Sequence, residues 1–436
     1  MKTYDLPRSR ATVADLAAGL RDSHDTTLRC MTGYEGESWR GTYLPIVNPP
    51  LWEVGHVGWF LERWCLRGAR YPEAPSLMAN ADRLYDSMRI AHAARWFLPL
   101  PEPQATLDYV ARVTDIVLER ADRGALSPDE AYYIELSLYH QDMHNEAFTY
   151  TRQTLGGANP AGVDVRHAET VVAADVEGDV AIPAGVLSLG STRDDGWVFD
   201  NEKWAHVVDV PGFAIARRTV TNAEFLAFVE DGGYRRRELW SDAGWRWREE
   251  AGRSHPIYWR CSDGWQQRVF DQWHALAADL PVVHVNAHEA EAWCRWAGRR
   301  LPTEAEWERA AATAPDEPAK RRHPWGDEPA DAARANLDSA GLVAANACPA
   351  GDSGWGCRLM LGNVWEWTST VFEPYPGFAV DPYEDYSRPW FGNHRVLRGG
   401  SFATKPRIAR NAYRNFYTPD RADVFCGFRT CALNAE

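Results

Sequence analysis

The chain has 436 residues, 45% of them hydrophobic, which is enough for two or three domains with a sizeable core. Its formal net charge of −14 has no basic stripe to offset it, so nucleic acid is excluded as an expected partner. No stretch approaches an apolar membrane span, and the eight cysteines form no C-x-x-C pair. We therefore expect a cytoplasmic protein that does not engage a membrane.

Residues 1–155 have the sequence pattern of four helices. The first predicted helix is marked by the apolar positions Val13, Leu16 and Leu20, and the second is the segment NPPLWEVGHVGWFLERW, begun by Asn48. The third covers residues 107–120, and the fourth covers residues 128–155 with Ser127 as N-cap. Polar, proline-containing connections separate them. This pattern predicts a helical bundle, an architecture that often holds metal ions between facing helices.

Three histidines of the bundle are candidate metal ligands. His140 and His144 are four residues apart in SLYHQDMHNE, so they lie on one face of the fourth predicted helix. His56, in the second predicted helix, is a third candidate. Three neutral imidazoles from two helices leave coordination positions open, as a catalytic metal site requires.

The same spacing recurs at His284 and His288, where we expect a different outcome. Asn286 is the predicted N-cap of the next helix, which places His284 in a strand and His288 at a helix start. The two side chains then do not share a helical face, and both are interpreted as structural histidines.

Residues 156–180 are rich in Gly, Ala and Val without helical periodicity, and we interpret them as a linker. From residue 181 to 436, short β-like runs such as VAIPAGVLSLGS and RVLRGGSF alternate with loops rich in Gly, Pro and Trp. Two short helices are predicted, at 287–297 and from LPTEAEWERAA, where Thr303 and Glu306 form a capping box. The expected fold class is α+β.

Six motifs of this second half resemble the formylglycine-generating-enzyme (sulfatase-modifying) domain, whose fold is similar to a C-type lectin fold. They are IPAGVLSLGS, VTNAEFLAFV, RRLPTEAEWERAA, LGNVWEWTS, RVLRGGSF and GFRTC. The helical half resembles a DinB-type four-helix bundle. The two in this order resemble the iron-dependent sulfoxide synthases of ergothioneine and ovothiol biosynthesis and their selenoneine-making relatives.

Formylglycine-generating activity itself is not expected. In that family two cysteines closely follow the RGGS motif and bind copper, whereas the segment RGGSFATKPRIARNAYR has none. Cys426 and Cys431 come later and are interpreted as buried thiols. The domain is expected to supply a pocket wall for another reaction.

The resemblance implies an Fe(II) site at His56, His140 and His144. It also implies a substrate pocket, in which Tyr383 donates a proton and an electron during the reaction with oxygen and Tyr386 lies beside the substrate imidazole. The trimethylammonium group of a histidine betaine, hercynine, is expected at Asn415 and Phe416, because an aromatic face suits a quaternary cation.

The expected donor pocket departs from the family pattern at three positions. His92 and Arg95 stand where synthases that use γ-glutamylcysteine carry two arginines, Tyr417 stands in place of an aspartate, and Met143 in place of a glutamine. A buried carboxylate without a cationic partner is costly, so these changes favour a donor with fewer carboxylates. We expect a selenosugar; γ-glutamylcysteine, or cysteine or another thiol, is the alternative.

The predicted function is thus O2-dependent formation of a C–Se or C–S bond at imidazole C2 of hercynine, with small molecules as the only partners. A zinc-dependent thiol transferase and a non-catalytic lectin-like binder are the alternatives. The segment GNVWEWT offers oxygen ligands to calcium, as in sulfatase-modifying relatives, although one segment cannot complete a calcium site.

Overall fold

The structure, a computed structural model, describes residues 4–124, 126–160, 176–315, 317 and 319–433. The chain divides into two compact units, residues 3–163 and 164–436. Most of the predicted linker, residues 161–175, lies outside the described residues. Within the described ranges, no helix combines the length and apolar character needed to cross a membrane.

The first unit is helical. Its helices are α1 Val13–Met31, α2 Pro50–Leu61, α3 Ala81–Tyr85, α4 Pro103–Asp122 and α5 Pro128–Leu155, and α2 runs on into a π-helical turn at Glu62–Arg67. Three 3₁₀ turns accompany them, at Gly36–Trp39, Gly68–Arg70 and His92–Phe97. Both α1 and α2 pack against both α4 and α5. This arrangement confirms the predicted four-helix bundle.

Helix starts in this unit follow the sequence signals in one case and depart from them in another. Ser127 caps α5, as predicted, and it also forms a capping box with Glu130. Asn48 does not cap α2: the N-cap is Pro49, and Asn48 Oδ1 instead accepts a hydrogen bond from Arg95 Nη1 at 2.9 Å. The proline pair is enough to begin the helix, because the first-turn N–H groups need no helical partner.

The second unit contains four helices and thirteen strands in its described residues. The helices are α6 Asn222–Glu230, α7 Asp242–Glu250, α8 Ala287–Trp296 and α9 Glu304–Ala312. The strands are β1 Asp179–Ile182, β2 Gly185–Leu189, β3 His206–Val210, β4 Phe213–Ala216, β5 Trp259–Ser262, β6 Gly264–Val269, β7 Gln272–Ala275, β8 Arg299–Arg300, β9 Trp365–Val371, β10 Arg395–Arg398, β11 Asn415–Tyr417, β12 Cys426–Gly427 and β13 Cys431–Ala432. Together with the helical first unit, they confirm the α+β class.

The strands form four small sheets, in the orders β1-β4-β13-β8, β11-β10-β9-β12, β2-β3 and β5-β6-β7. A core cluster that includes Ile215, Trp307 and Met360 joins α9 to several of these strands. Because the strands are short, large aromatic side chains supply much of the buried area, which accounts for the abundance of tryptophan.

Three expectations for this unit need correction. Two helices, α6 and α7, were not predicted. Strand β1 begins at Asp179, inside the predicted linker. His284 does not lie in a strand: it has a left-handed backbone (φ 62) and is buried between the rings of Tyr258 and Phe425. Asn286 does cap α8, as expected.

Candidate active site

Three histidines of the bundle, His56 on α2 and His140 and His144 on α5, form a compact cluster, called here the three-histidine cluster. The Nε2 atom of His140 lies 3.3 Å from Nε2 of His56 and 3.2 Å from Nε2 of His144. The i, i+4 spacing on α5 and the packing of α2 against α5 produce this convergence, as the sequence predicted.

Hydrogen bonds at the far side of two rings determine which nitrogen carries the proton. His56 Nδ1 lies 2.8 Å from the carbonyl oxygen of Tyr85, which can only accept, so Nδ1 carries the hydrogen. His144 Nδ1 lies 2.6 Å from Oε1 of the buried Glu53 and donates to its carboxylate. When the rings of His56 and His144 are neutral, each Nε2 atom therefore carries a lone pair, and both lone pairs face His140 Nε2.

The rings are held in orientation by aromatic neighbours. Phe60 stacks on His140 with ring centroids 3.5 Å apart, and Trp52 stacks on His56 at 4.9 Å. Burial lowers the pKa of both His56 and His140 well below the usual value, and the neighbouring His144 adds to this effect. The two imidazoles are thus neutral over the physiological pH range.

This donor set fits a metal ion. Hydrogen bonds among three Nε2 atoms this close cannot satisfy all three at once. Their converging lone pairs repel one another unless a cation lies between them. With metal–nitrogen bonds of about 2.1 Å, neighbouring nitrogens are spaced by about 3.0 Å at right angles and about 3.4 Å at tetrahedral angles. The observed spacings lie between these values.

Gly55 on α2 allows α3 to pack closely behind the three-histidine cluster. A Cβ atom on Gly55 would lie 2.3 Å from the ring of Tyr85, the residue whose carbonyl accepts from His56. The absence of a side chain at position 55 therefore lets α3 approach α2 closely enough to hold that ring.

In the second unit, the predicted pocket residues Tyr383 and Tyr386 lie on an irregular segment, residues 381–387, called here the tyrosine segment. Their ring centroids are 6.1 Å apart, and Tyr386 N donates to Tyr383 O at 3.1 Å. Tyr386 stacks on Phe199 at 4.3 Å. Burial is the main reason that the pKa of Tyr386 lies well above its usual value.

The predicted betaine-binding residues Asn415 and Phe416 form β11 together with Tyr417, in antiparallel register with β10. The ring of Phe416 stacks on Phe372 at 4.1 Å and meets the ring of Tyr386 edge-on at 5.9 Å. The second unit thus brings the predicted residues of the tyrosine segment and of β11 into one aromatic cluster. On the other side of the strand pair, Arg421 stacks over Tyr417 at 4.9 Å.

The predicted donor residues in the first unit are His92 and Arg95, in the turn His92–Phe97, and the half-buried Met143 on α5. Arg95 is tied to its own unit. Its guanidinium donates to Asn48 Oδ1 at 2.9 Å and stacks over Trp52 at 4.1 Å. These contacts reduce the capacity of Arg95 to grip a donor carboxylate.

The segment GNVWEWT does not fit a calcium ion. Asn363 Oδ1 accepts hydrogen bonds from Asn336 Nδ2 and Val343 N, both at 3.0 Å. The carboxylate of Glu366 is held by two nitrogens of Arg429 at 2.7 and 2.8 Å. Because N–H donors occupy these oxygens, the amide and carboxylate side chains of this segment are already used.

Two partners of the metal histidines, Glu53 and Tyr85, were not predicted from the sequence. Glu53 had a signal: it is the one acidic residue of PLWEVGHVGWFL and precedes His56 by three positions. A buried carboxylate beside a metal histidine commonly orients the ring. The contact of Tyr85 is made by its carbonyl group, so its side-chain identity carried no signal.

Residues 165–434 match the sulfatase-modifying factor enzyme 1-like domain family. A hercynine oxygenase from Mycolicibacterium thermoresistibile is 41% identical over 441 residues, which cover 95% of this chain and 94% of the relative. The chain belongs to the hercynine oxygenase family. Another member, from Mycolicibacterium smegmatis, is 39% identical over 97% of this chain and 98% of its own length.

Membership of the hercynine oxygenase family confirms the resemblance that the six motifs and the three histidines indicated. The solved structure of PvdO from Pseudomonas aeruginosa matches 58% of this chain and 93% of its own, at 22% identity and a TM-score of 0.41. All eight cysteines of the chain are free thiols, and Cys426 and Cys431 are buried as expected.

Proposed function

We propose that the protein is an iron(II)- and oxygen-dependent enzyme that joins a selenium or sulfur donor to imidazole C2 of hercynine. The C2–H and the Se–H or S–H bonds break and a C–Se or C–S bond forms. One oxygen atom of O2 is retained as the selenoxide or sulfoxide, and the other leaves as water with the two hydrogens. Full-length similarity to hercynine oxygenases supports hercynine as the acceptor.

The observation that carries the proposal is the convergence of three imidazole Nε2 atoms in the three-histidine cluster. His56, His140 and His144 would hold the iron, and three protein ligands leave positions open, as reactions at a metal require. When bound, the iron supplies sites for oxygen and for the deprotonated chalcogen. The protein contributes ring orientation through Tyr85 and Glu53, which accept from Nδ1 of His56 and of His144 and leave Nε2 as the nitrogen directed at the cluster.

Hercynine is proposed to bind at the aromatic cluster of the second unit. The face of Phe416 and the amide of Asn415 suit a trimethylammonium group, which has no N–H to donate. Tyr386 lies against Phe416 and packs beside the substrate ring, while Tyr383 is the proposed source of a proton and an electron.

For the donor we propose a selenosugar. His92 and Tyr417 offer no permanent positive charge, and Arg95 is already bonded to Asn48 and stacked on Trp52. A donor with two carboxylates, such as γ-glutamylcysteine, would lack a cationic partner. A neutral sugar needs only hydroxyl and ring contacts, which His, Tyr and Met side chains can make.

The decisive experiment reconstitutes the protein anaerobically with Fe(II) or with Zn(II). Hercynine, oxygen and equal concentrations of a selenosugar, γ-glutamylcysteine and cysteine are then supplied, with products read by mass spectrometry. We expect turnover with Fe(II) alone and a preference for the selenosugar. Turnover with Zn(II) and no oxygen uptake would instead establish a thiol transferase. Preference for γ-glutamylcysteine would establish a sulfoxide synthase of the ergothioneine pathway.

A variant test separates the enzyme from a lectin-like binder. His140→Ala is expected to lose both iron binding and turnover, because it removes the central ligand of the three. Retention of hercynine binding with no turnover in the wild-type, iron-loaded protein would favour a binding protein.

A further inference from the structure

A buried turn of the second unit, residues 199–203, called here the 199–203 turn, carries an unusual density of charge. Asp200 is 2% exposed, Glu202 is 0% exposed and Lys203 is 3% exposed. Buried ionisable groups are costly unless each one is paired and hydrogen-bonded. The residues that pair with Asp200, Glu202 and Lys203 therefore show which segments this turn holds in place.

One set of partners lies at the two ends of the tyrosine segment. At its start, Lys203 Nζ donates to Asp381 Oδ1 at 2.6 Å. At its end, the fully buried Ser387 donates through Oγ to Asp200 Oδ1 and accepts from Asn201 Nδ2 at 3.0 Å. The turn thus fixes the segment on both sides of Tyr383 and Tyr386.

A second set of partners leads to β11. The guanidinium of Arg410 forms a two-bond ion pair with Glu202. Arg414, the residue directly before Asn415, donates through Nη1 to Asn201 O at 2.7 Å. The ring of Phe199, at the start of the turn, stacks on Tyr386. The same five-residue turn therefore contacts both halves of the proposed hercynine pocket.

We propose that the 199–203 turn is the positioning element of the acceptor site. Asp200 and Ser387 set where Tyr383 and Tyr386 lie relative to Asn415 and Phe416. This inference rests on the proposed function, since it assigns these groups a purpose in binding and converting hercynine. Neither Asp200 nor Ser387 is placed against the substrate, and both act through the tyrosine segment.

A positioning element matters because the reaction rate depends steeply on where the reacting groups lie. A displacement of about 1 Å at a reacting group can cost on the order of 100-fold in rate. The tyrosine segment has no helix or strand of its own, so its position depends on its anchors. Among the described residues, removal of the Ser387 hydroxyl leaves Asp200 with only the long contact from Asp381 N, at 3.5 Å, and removes the bond that holds the end of the segment to the turn.

The test uses three variants of the full-length protein. Ser387→Ala removes the anchor. Asp200→Asn keeps an oxygen that can accept from Ser387, whereas Asp200→Ala does not. The matched control is Ser191→Ala: Ser191 is equally buried and its N–H donates to Glu202 O at 2.7 Å. Its hydroxyl, however, makes no hydrogen bond within the described residues.

We expect Ser387→Ala to raise the KM for hercynine about 10-fold and to divert product towards simple oxidation of the donor. Asp200→Ala should behave likewise, while Asp200→Asn should recover most of the wild-type product partition. Ser191→Ala should match the wild type in both readouts. If Ser387→Ala does not fold, Ser387→Cys, which keeps a weak donor of similar size, carries the same expectation in smaller measure.

Two outcomes would overturn the inference, and they are distinguishable. If the wild type converts hercynine and Ser387→Ala has the same KM and product partition as Ser191→Ala, the turn is merely structural. If the wild type neither binds nor converts hercynine, the proposed function fails and the inference fails with it.

Discussion

At the three-histidine cluster, the chemistry depends on which nitrogen of each ring carries the proton. Tyr85 O and the Glu53 carboxylate both accept from Nδ1 atoms, of His56 and His144, and leave the Nε2 atoms bare. The two acceptors differ, because the Glu53 carboxylate carries a negative charge and the Tyr85 carbonyl does not. This difference makes Glu53 a separable contribution to metal affinity.

We predict that Glu53→Gln lowers iron affinity about 10-fold without unfolding the protein, because the amide oxygen can still accept from His144 while the charge is lost. The measurement is competition for Fe(II) against a chelator of known affinity. Glu62→Gln is the matched control: Glu62 directly follows α2, is buried and accepts from Ser76 and Tyr109. Glu62→Gln should alter stability and leave iron affinity unchanged. Equal iron affinities in the wild type and Glu53→Gln would contradict the role given to Glu53.

The two tyrosines of the tyrosine segment are predicted to differ in their effect on product. Tyr383→Phe should preserve hercynine binding and shift the products towards oxidised donor, because the phenol that supplies a proton and an electron is removed. Tyr386→Phe should change binding more than partition, since Tyr386 packs between Phe199 and Phe416. Product ratios by mass spectrometry decide the matter, and an unchanged ratio in Tyr383→Phe would transfer the role to Tyr386.

At the scale of elements, the position of the cluster follows from close packing of α3 on α2. A side chain at position 55 would overlap Tyr85, so Gly55→Ala is predicted to push α3 away and to lengthen the contact between His56 and Tyr85 O. Overpacking of this kind costs about 1–3 kcal/mol.

We expect Gly55→Ala to lower the melting temperature and to weaken iron binding together. Gly58→Ala, on the same helix, is its control. A Cβ there would meet Val110 Cγ2 at 2.8 Å, so this change strains α4 and should lower stability with less effect on iron. Loss of stability with full iron affinity in Gly55→Ala would show that His56 does not depend on α3.

An N-terminal cap alone did not decide which helices could be predicted, because α6 has a capping box at Thr221 and Glu224 and was still missed. Helix α5, with Ser127 and Glu130, matched its expected bounds, whereas the nine-residue α6 and α7 were missed. The approach of His140 to His144 could be predicted because i, i+4 spacing places two side chains on one face of a helix. Glu53, the carbonyl of Tyr85 and the anchors of the tyrosine segment depend on long-range contacts, which local patterns do not encode.

At the scale of the whole chain, the two compact units have separate cores, so unfolding need not be a single transition. Tryptophan reports mainly on the second unit, since 16 of the 21 tryptophans follow residue 164. Its fluorescence therefore reports mainly on the stability of the unit that contains the 199–203 turn. Burial raises the pKa of Asp200 in this turn to about 7, and burial raises that of Glu289 on α8 to about 7 as well.

These two raised pKa values predict an unusual pH dependence of stability. In the unfolded chain Asp200 releases its proton near pH 3.8, but in the folded protein it keeps the proton to about pH 7. Between these values the folded state binds more protons, so its stability falls as the pH rises, by at most about 1.4 kcal/mol per pH unit for one such group.

We predict that Asp200→Asn, which cannot ionise, gains stability relative to the wild type between pH 5 and pH 7. Urea unfolding followed by tryptophan fluorescence at the two pH values measures this difference, and Glu289→Gln should show a similar gain. A constant difference between wild type and Asp200→Asn across the range would mean that Asp200 is already ionised at pH 5, with its charge neutralised by Lys203 despite its burial.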